Sequence, residues 1–380
     1  MLFLPLVLAA CSPGLKLDWS LQVGDYSPVP AVSERGTLIT STYDTFGASG
    51  AIKAHDPSDG GELWRLQLDH SSPRHLTLDP DDNVLVRADD ALLGLDAETG
   101  EEAWRAEGLG EAVAVAVDVE LGRVYALQHS LGASNSTTLT AVEAGELAWS
   151  IDIEDYAWLL AVGGDGTVFV TGGSAWAFAP DGGALWNTPL ASAAQTLSLD
   201  RDKLLVGLQM DGVSAGGLAA LDRGDGSALW MSELMPYWEP VVDEDGTIYM
   251  ATAAQLVAID GDSGETLWLG HEMHREVAVG GDGRLYGMGY LPEDPEFASL
   301  GWDIHFTVTD ASSGEILWSE WQNDALDSVN GAPSLDGRRV YFCGGNFRAY
   351  LYAYTGGPGL GRGPWPRTNS GNANRRKELD

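Results

Sequence analysis

The chain has 380 residues, enough to bury a large core, and its 44% apolar content is ordinary for a globular protein. Its 56 acidic residues outnumber 21 basic ones and give a formal charge of −35. Such a charge repels phosphate backbones and anionic headgroups, so it excludes nucleic acid and charge-driven membrane adhesion as partners. The 48 glycines and 14 tryptophans are typical of a protein built from many short strands.

The amino terminus predicts an exported lipoprotein. Residues 1–10, MLFLPLVLAA, are too few to span a bilayer but suit the apolar part of a signal peptide, although no Lys or Arg precedes them. The ending Leu8-Ala9-Ala10-Cys11 resembles a bacterial lipobox, in which the cysteine sulfur carries diacylglycerol. A buried strand with an unmodified Cys11 is the alternative. We expect a lipid on Cys11, a tether at 11–15, and outer-membrane placement, since Ser12 resembles that sorting pattern.

A recurring string, Asp-x-x-x-Gly-x-x-x-Trp, follows along the chain. Successive tryptophans from Trp64 to Trp318 stand 40, 45, 37, 44, 38 and 50 residues apart. This period is the size of a four-stranded propeller blade. Five complete copies end at Trp64, Trp104, Trp230, Trp268 and Trp318, and two that keep only the glycine and the tryptophan end at Trp149 and Trp186.

The segment LGLDAETGEEAW shows why this spacing recurs. The apolar alternation before Asp96 predicts one strand, and the alternation that reaches Trp104 predicts the next. Asp96 can accept backbone N–H groups two residues on, and Gly100 supplies the positive φ that a short hairpin needs. We therefore expect each tryptophan to pack between neighbouring blades in a structural role.

A second element, a turn followed by a short β-branched or aromatic strand, occurs eight times, once more than the tryptophan hairpins. The last of these units ends at 349–354 without a tryptophan strand of its own. Residues 16–21, which contain Trp19, resemble the segment after every other hairpin. Pairing the two segments would close a ring of eight four-stranded blades and leave no open edge between the termini.

These motifs resemble the repeats of pyrroloquinoline-quinone-like propellers, and residues 363–372, GPWPRTNSGN, resemble a terminal motif of bacterial members. The resemblance implies an all-β, eight-bladed propeller over residues 16–365 and a C-terminal tail at 366–380. The family holds quinoprotein dehydrogenases and the lipoprotein of the outer-membrane β-barrel assembly machinery. The resemblance therefore specifies the fold more sharply than the function.

The quinoprotein members imply an adjacent cysteine pair, a calcium site and a catalytic Asp, whereas the cysteines here are Cys11 and Cys343, a predicted buried strand thiol. His271 and His274 would share a face only on a helix, and their segment joins two blades. The acidic turns at 79–82 and 243–246 lack the EF-hand pattern and match ordinary turn chemistry. We expect no catalytic residue and no metal, and neither pyrroloquinoline quinone nor calcium as a cofactor.

Two segments that follow tryptophan strands are unusually aromatic. They contain Tyr156 with Trp158 and Tyr237 with Trp238. Exposed Tyr and Trp on a rigid frame are the usual hot spots of a binding surface, although the same residues could instead pack between blades. The insertions at 210–217 and 291–304 are further places where specificity could reside.

These observations favour a non-catalytic, monomeric envelope lipoprotein whose propeller binds another, unidentified envelope protein, in envelope or outer-membrane protein assembly. Contact with the membrane is expected through the N-terminal lipid only, and the acidic surface is interpreted as solubilising. Two alternatives are a quinone- or metal-dependent oxidoreductase, and a propeller that binds a small ligand or a polysaccharide.

Overall fold

The structure is a computed structural model that describes residues 15–25, 30–43, 49–69, 76–88, 90–129, 136–209, 216–270, 273–291, 303–322, 332–344, 349–359 and 361. These residues form 32 strands and no helix. Within them there is accordingly no helix that is long and apolar enough to cross a membrane.

The strands form eight antiparallel sheets of four strands each, the blades of a propeller. In blades 1 to 4 the strands follow one another in chain order. The strands are β2 (Ala31–Val32), β3 (Leu38–Tyr43), β4 (Ser49–His55) and β5 (Glu62–Asp69) in blade 1; β6 (Thr77–Leu78), β7 (Asn83–Ala88), β8 (Ala91–Asp96) and β9 (Glu102–Glu107) in blade 2; β10 (Ala112–Asp118), β11 (Arg123–His129), β12 (Thr137–Glu143) and β13 (Glu146–Ile153) in blade 3; and β14 (Ala157–Val162), β15 (Val168–Gly172), β16 (Ser174–Phe178) and β17 (Ala184–Pro189) in blade 4.

Blades 5 to 7 repeat this order, and blade 8 takes its outermost strand from the amino terminus. The strands are β18 (Ala194–Asp200), β19 (Lys203–Leu208), β20 (Gly217–Asp222) and β21 (Ala228–Ser232) in blade 5; β22 (Val241–Val242), β23 (Thr247–Ala251), β24 (Leu256–Asp260) and β25 (Thr266–Leu269) in blade 6; β26 (Met273–Val279), β27 (Arg284–Leu291), β28 (Asp303–Asp310) and β29 (Ile316–Gln322) in blade 7; and β30 (Ser334–Leu335), β31 (Arg339–Gly344), β32 (Ala349–Thr355) and β1 (Lys16–Gly24) in blade 8.

Apolar cores lie between the blades, because middle strands are covered on both faces. Strand β31 is buried along nearly its whole length, whereas the outermost strand β13 alternates between exposed and half-buried residues. One core cluster joins Leu38 of blade 1 to Cys343 of blade 8, and similar clusters join the other neighbouring blades. First strands of neighbouring blades, such as β10 and β14, contact one another, which places them nearest the axis.

The eighth blade closes the ring as predicted. Strand β1 pairs antiparallel with β32, with Leu21 opposite Leu351. The Ser334 hydroxyl of blade 8 donates to the Pro30 carbonyl ahead of blade 1, at 2.7 Å. The Ser198 hydroxyl of blade 5 makes the same bond to Pro240 ahead of blade 6, also at 2.7 Å. The junction between the chain ends is therefore built like an internal junction, and the predicted eight four-stranded blades are confirmed.

Antiparallel order gives the ring two distinct edges. One edge, the turn face, carries the turns between first and second strands and between third and fourth strands, such as 79–82 and 96–100. The other edge, the connection face, carries the loops between second and third strands and the connections between blades, including 154–156 and 233–240. Side chains on the two faces are therefore separated by the length of a blade.

Candidate functional site

The repeat tryptophans join neighbouring blades. In six of them the indole Nε1 donates to a backbone carbonyl in the hairpin turn of the next blade, at 2.8–3.1 Å. The acceptor is always the residue after the first position of the turn, which orients each ring against that turn. The pairs are Trp19 with Pro57, Trp64 with Ala97, Trp149 with Pro180, Trp186 with Arg223, Trp230 with Gly261 and Trp268 with Ala311.

The other two tryptophans depart from this pattern. Trp104 donates to the Asp79 carboxylate of its own blade at 2.7 Å, because the next hairpin turn has only Ala144 and Gly145 at its tip. Trp318 packs edge-to-face on Tyr354 of blade 8, with ring centroids 5.7 Å apart. The third and fourth strands of blade 8 come from opposite chain ends, so no hairpin turn joins them.

In six of the seven described hairpins, the turn glycine receives the indole of the preceding blade's tryptophan. Gly100 has φ of 72°, and a Cβ at this residue would lie 2.7 Å from the Trp64 ring. Any larger residue would therefore strain the backbone and displace the indole. The same close approach recurs between Gly60 and Trp19, Gly182 and Trp149, Gly226 and Trp186, Gly264 and Trp230, and Gly314 and Trp268.

Tyr156 and Trp158 lie on the connection face, at the start of blade 4. Tyr156 is 46% exposed and stacks on His129 of blade 3, with ring centroids 4.0 Å apart. His129 Nε2 lies 2.9 Å from the Ala157 carbonyl, to which it donates. Trp158 is half-buried, and its Nε1 donates to the Ala194 carbonyl of blade 5 at 3.1 Å. The tyrosine is thus presented to solvent while the tryptophan anchors the segment.

Tyr237 and Trp238 occupy the corresponding position ahead of blade 6. Tyr237 is 59% exposed, and its backbone N–H donates to the Ala251 carbonyl at 2.7 Å. Trp238 is half-buried and packs edge-on to Tyr237, with ring centroids 5.6 Å apart. Here again a tyrosine faces solvent on a fixed backbone, beside a tryptophan that packs inward.

Both aromatic segments contact the same end of blade 5. Trp158 bonds to Ala194, the first residue of β18, while Pro236 packs so closely on Gly207 of β19 that a Cβ at Gly207 would lie 2.7 Å from Pro236 Cγ. Gly207 is paired with Thr196, two residues from Ala194. We call the four residues Tyr156, Trp158, Tyr237 and Trp238 the aromatic ledge.

Exposed carboxylates flank the aromatic ledge. Glu154 precedes Tyr156, and Glu233 precedes the second aromatic segment, and both side chains are exposed. Asp155 fixes the first segment, since its Oδ1 accepts the Tyr156 backbone N–H at 2.8 Å. The ledge therefore combines apolar rings with an acidic border, which suits a partner surface that is apolar and bordered by basic groups.

Three tyrosines with a raised pKa recur at equivalent positions. Burial and then a neighbouring carboxylate raise the pKa of Tyr249 and of Tyr286, and the same two causes raise the pKa of Tyr341. The hydroxyl of each donates to an Asp of the preceding turn, at 2.8–2.9 Å. Because the pair repeats in blades 6, 7 and 8, it stabilises the blade and is not a catalytic feature of one site.

The sequence lacks the adjacent cysteine pair that the resemblance to quinoprotein dehydrogenases implies. Cys343 is fully buried in β31, as the sequence predicted, and has no adjacent cysteine. Within the described ranges, no three His, Cys, Asp or Glu side chains are placed to hold a metal ion. His274 lies in strand β26, and is therefore in extended backbone and not on a helix, while His271 and Cys11 lie outside the described residues.

Comparison with known families agrees with this architecture. The family model described as outer membrane protein assembly factor BamB matches residues 48–196, 134–269 and 214–357, overlapping segments that span most of the chain. The chain belongs to this family. It is a pyrroloquinoline-quinone-like propeller, as the repeat predicted. A sequence search of curated proteins gives no match.

Two solved structures share the fold. BamB from Moraxella catarrhalis is similar with a TM-score of 0.56 and 15% identity, over 90% of this chain and 99% of that one. Quinohemoprotein alcohol dehydrogenase from Comamonas testosteroni is similar with a TM-score of 0.57 and 15% identity, over 92% of this chain and 77% of that one. One is an assembly factor and the other an enzyme by name, so the function of this chain has to be argued from its own side chains.

Proposed function

We propose that the chain is a non-catalytic lipoprotein of the bacterial envelope that binds another envelope protein through the aromatic ledge, in the assembly of outer-membrane proteins. Membership of the BamB family supports this class of role. The observation that carries the proposal is the pair of solvent-facing tyrosines, Tyr156 and Tyr237, presented by two connections that contact one end of blade 5.

The aromatic ledge is preorganised for binding. Tyr and Trp bury a large area and lose little side-chain entropy, and here hydrogen bonds and stacking already fix their backbones. Exposed Tyr156 and Tyr237 supply contact area, while half-buried Trp158 and Trp238 hold the surface in shape. The exposed carboxylates nearby favour a partner with basic groups around its apolar patch, and its association is expected to slow as salt rises.

Site-specific crosslinking tests the ledge directly. Replacing Tyr237 by p-benzoylphenylalanine in the full-length chain is expected to give one discrete adduct on irradiation in cells, because the residue faces the partner. The matched control is Leu267, which lies on the outer strand of the same blade and is similarly exposed, 54% against 59%. Equal adducts from both positions would refute the ledge as the binding surface. If position 237 gives no protein adduct and the protein binds polysaccharide on a glycan array, the glycan-binding alternative would be favoured.

A second experiment concerns the anchor. The short lipobox-like sequence supports attachment through acyl chains on Cys11. Two or more acyl chains hold a protein at a membrane more firmly than a single chain does. The Cys11→Ala variant is expected to move from the membrane pellet to the soluble fraction, as judged by immunoblotting after fractionation. A variant that pellets like the parent would contradict lipid anchoring at this residue.

A further inference from the structure

A cleft between blades 4 and 5 opens on the turn face, at the edge of the ring opposite the aromatic ledge. It has a volume of about 470 Å³, within the range of small-ligand sites. Its lining is mixed, with an apolar side, two guanidinium groups and one carboxylate. The residues that line it are Asp165, Thr167, Phe169, Leu185, Arg201, Arg223 and Gly224.

Arg223 departs from the repeat in a way that the fold does not require. Its backbone carbonyl accepts the Trp186 indole N–H at 2.8 Å, the structural role of this position in six of the hairpin turns. The equivalent residues Pro57, Ala97 and Gly261 perform that task with no charged side chain. The guanidinium of Arg223 is therefore an addition to the scaffold.

The Arg223 side chain forms a fixed floor to the cleft. Its Cζ lies 5.3 Å from the centroid of the Phe169 ring, a cation–π arrangement. Nη1 donates to the Arg201 carbonyl at 2.6 Å, and Nη2 donates to Asp165 at 3.3 Å. The side chain is only 10% exposed, so its charge is held inside the cleft.

Arg201, by contrast, is exposed. Throughout the part of the chain that the structure describes, its guanidinium makes no hydrogen bond or ion pair. In a chain with 56 acidic and 21 basic residues, a guanidinium at a cleft that has no partner among the described residues is unexpected. Five N–H donors in a planar fork match a carboxylate. Leu185 also lines the cleft, is 55% exposed and offers an apolar contact.

We propose that this cleft binds a monocarboxylate that carries an apolar group, either a free acid or the C-terminal residue of a peptide. Arg201 binds the carboxylate, and Leu185 packs against the hydrocarbon. The lining carries two positive charges and one negative charge, from Arg201, Arg223 and Asp165, so a monoanion neutralises it. A phosphate dianion would leave the cleft with a net negative charge inside an already acidic protein. A carboxylate monoanion is therefore favoured.

Calorimetric titration of the full-length chain in detergent tests the proposal, with 3-phenylpropionate and its uncharged amide as probes. We expect saturable binding of the acid, and binding of the amide to be weaker by at least about tenfold, because a charge-assisted hydrogen bond is lost. Arg201→Gln is expected to lose at least about tenfold in affinity for the acid for the same reason. Arg338→Gln, which removes an exposed arginine from the blade 8 turn, is the charge-matched control and should bind like the parent.

Asp165→Asn is expected to raise the affinity for the acid, whereas Arg201→Gln is expected to lower it. Asparagine keeps the acceptor that the Thr167 backbone N–H uses at 3.1 Å but removes the negative charge, so the acid should bind more tightly. The N-acetylated dipeptide Ala-Phe, as acid and as amide, distinguishes the sources, since tighter binding of the peptide acid than of 3-phenylpropionate indicates a chain terminus. Equal binding of acid and amide, an Arg201→Gln variant that binds like the parent, or no saturable binding would overturn the proposal.

Discussion

His55 illustrates how one buried side chain fastens a turn. Its side chain lies between Thr40 and the hairpin turn of blade 1 and is only 1% exposed. Nδ1 is 3.1 Å from the Gly60 carbonyl, which can only accept, so this nitrogen carries the proton. Nε2 then accepts from the Thr40 hydroxyl at 2.9 Å. A neutral ring satisfies both bonds, and burial lowers the pKa of His55.

This arrangement predicts a pH dependence of folding. Since the folded state disfavours the proton, the unfolded chain binds it more readily, and stability falls as the pH drops below about 6.5, the unfolded value. The loss is complete below the lowered pKa of the folded state, and each unit of lowering is equivalent to about 1.4 kcal/mol. His55→Gln, which is uncharged throughout, should show a flatter change in urea-unfolding free energy between pH 7 and pH 5. Parallel losses in the variant and the parent would contradict a buried neutral histidine.

The residues of the repeat motif make contacts both within one hairpin turn and with the neighbouring blade. Within one hairpin, Asp96 accepts the Glu98 backbone N–H at 3.0 Å, as the sequence predicted. Trp64, however, belongs to the preceding blade and occupies the space that a side chain on Gly100 would need. The sequence pattern groups the Asp, Gly and Trp of one copy. In the structure, however, six of the tryptophans contact the glycine of the next copy.

Two glycines separate the roles of backbone conformation and close packing. Gly100 and Gly108 have φ of 72° and 79°, but only Gly100 faces an indole, while a Cβ at Gly108 would meet nothing within 4 Å. Gly108→Ala should cost about 1–2 kcal/mol from left-handed backbone strain alone. Gly100→Ala should cost about 1–3 kcal/mol more, because the Trp64 ring is displaced. Chemical unfolding measures both values, and equal losses would show that the indole does not depend on the glycine.

The sequence predicted the positions of the aromatic segments but not which of their side chains are exposed. Their composition singled out Tyr156 and Tyr237, but the choice between exposed hot spots and packing residues stayed open. The structure divides each pair, with the tyrosine exposed and the tryptophan packed inward. That division depends on contacts with Ala194 and Ala251, which lie on other strands. The stacking of His129 under Tyr156 had no local sequence signal either.

Across the ring, the repeat predicted the architecture because most blades use the same local chemistry. The eighth blade joins residues more than 300 positions apart, as in the ion pair of Arg339 with Asp18 at 2.8 Å. The proposed binding sites follow the opposite logic, since the ledge and the cleft between blades 4 and 5 lie where individual blades depart from the repeat. A shared scaffold therefore leaves its two edges free to carry separate binding surfaces.

Co-purification from detergent-solubilised membranes tests whether the aromatic ledge binds an envelope protein. The full-length parent, a Tyr156→Ala/Tyr237→Ala variant and a Leu63→Ala/Leu267→Ala variant are compared. The control leucines are 53% and 54% exposed and lie on outermost strands, away from the ledge. If the ledge is the binding surface, the partner crosslinked at Tyr237 is recovered with the parent and the leucine variant, and is lost with the tyrosine variant. Equal recovery of that partner with all three proteins would contradict it.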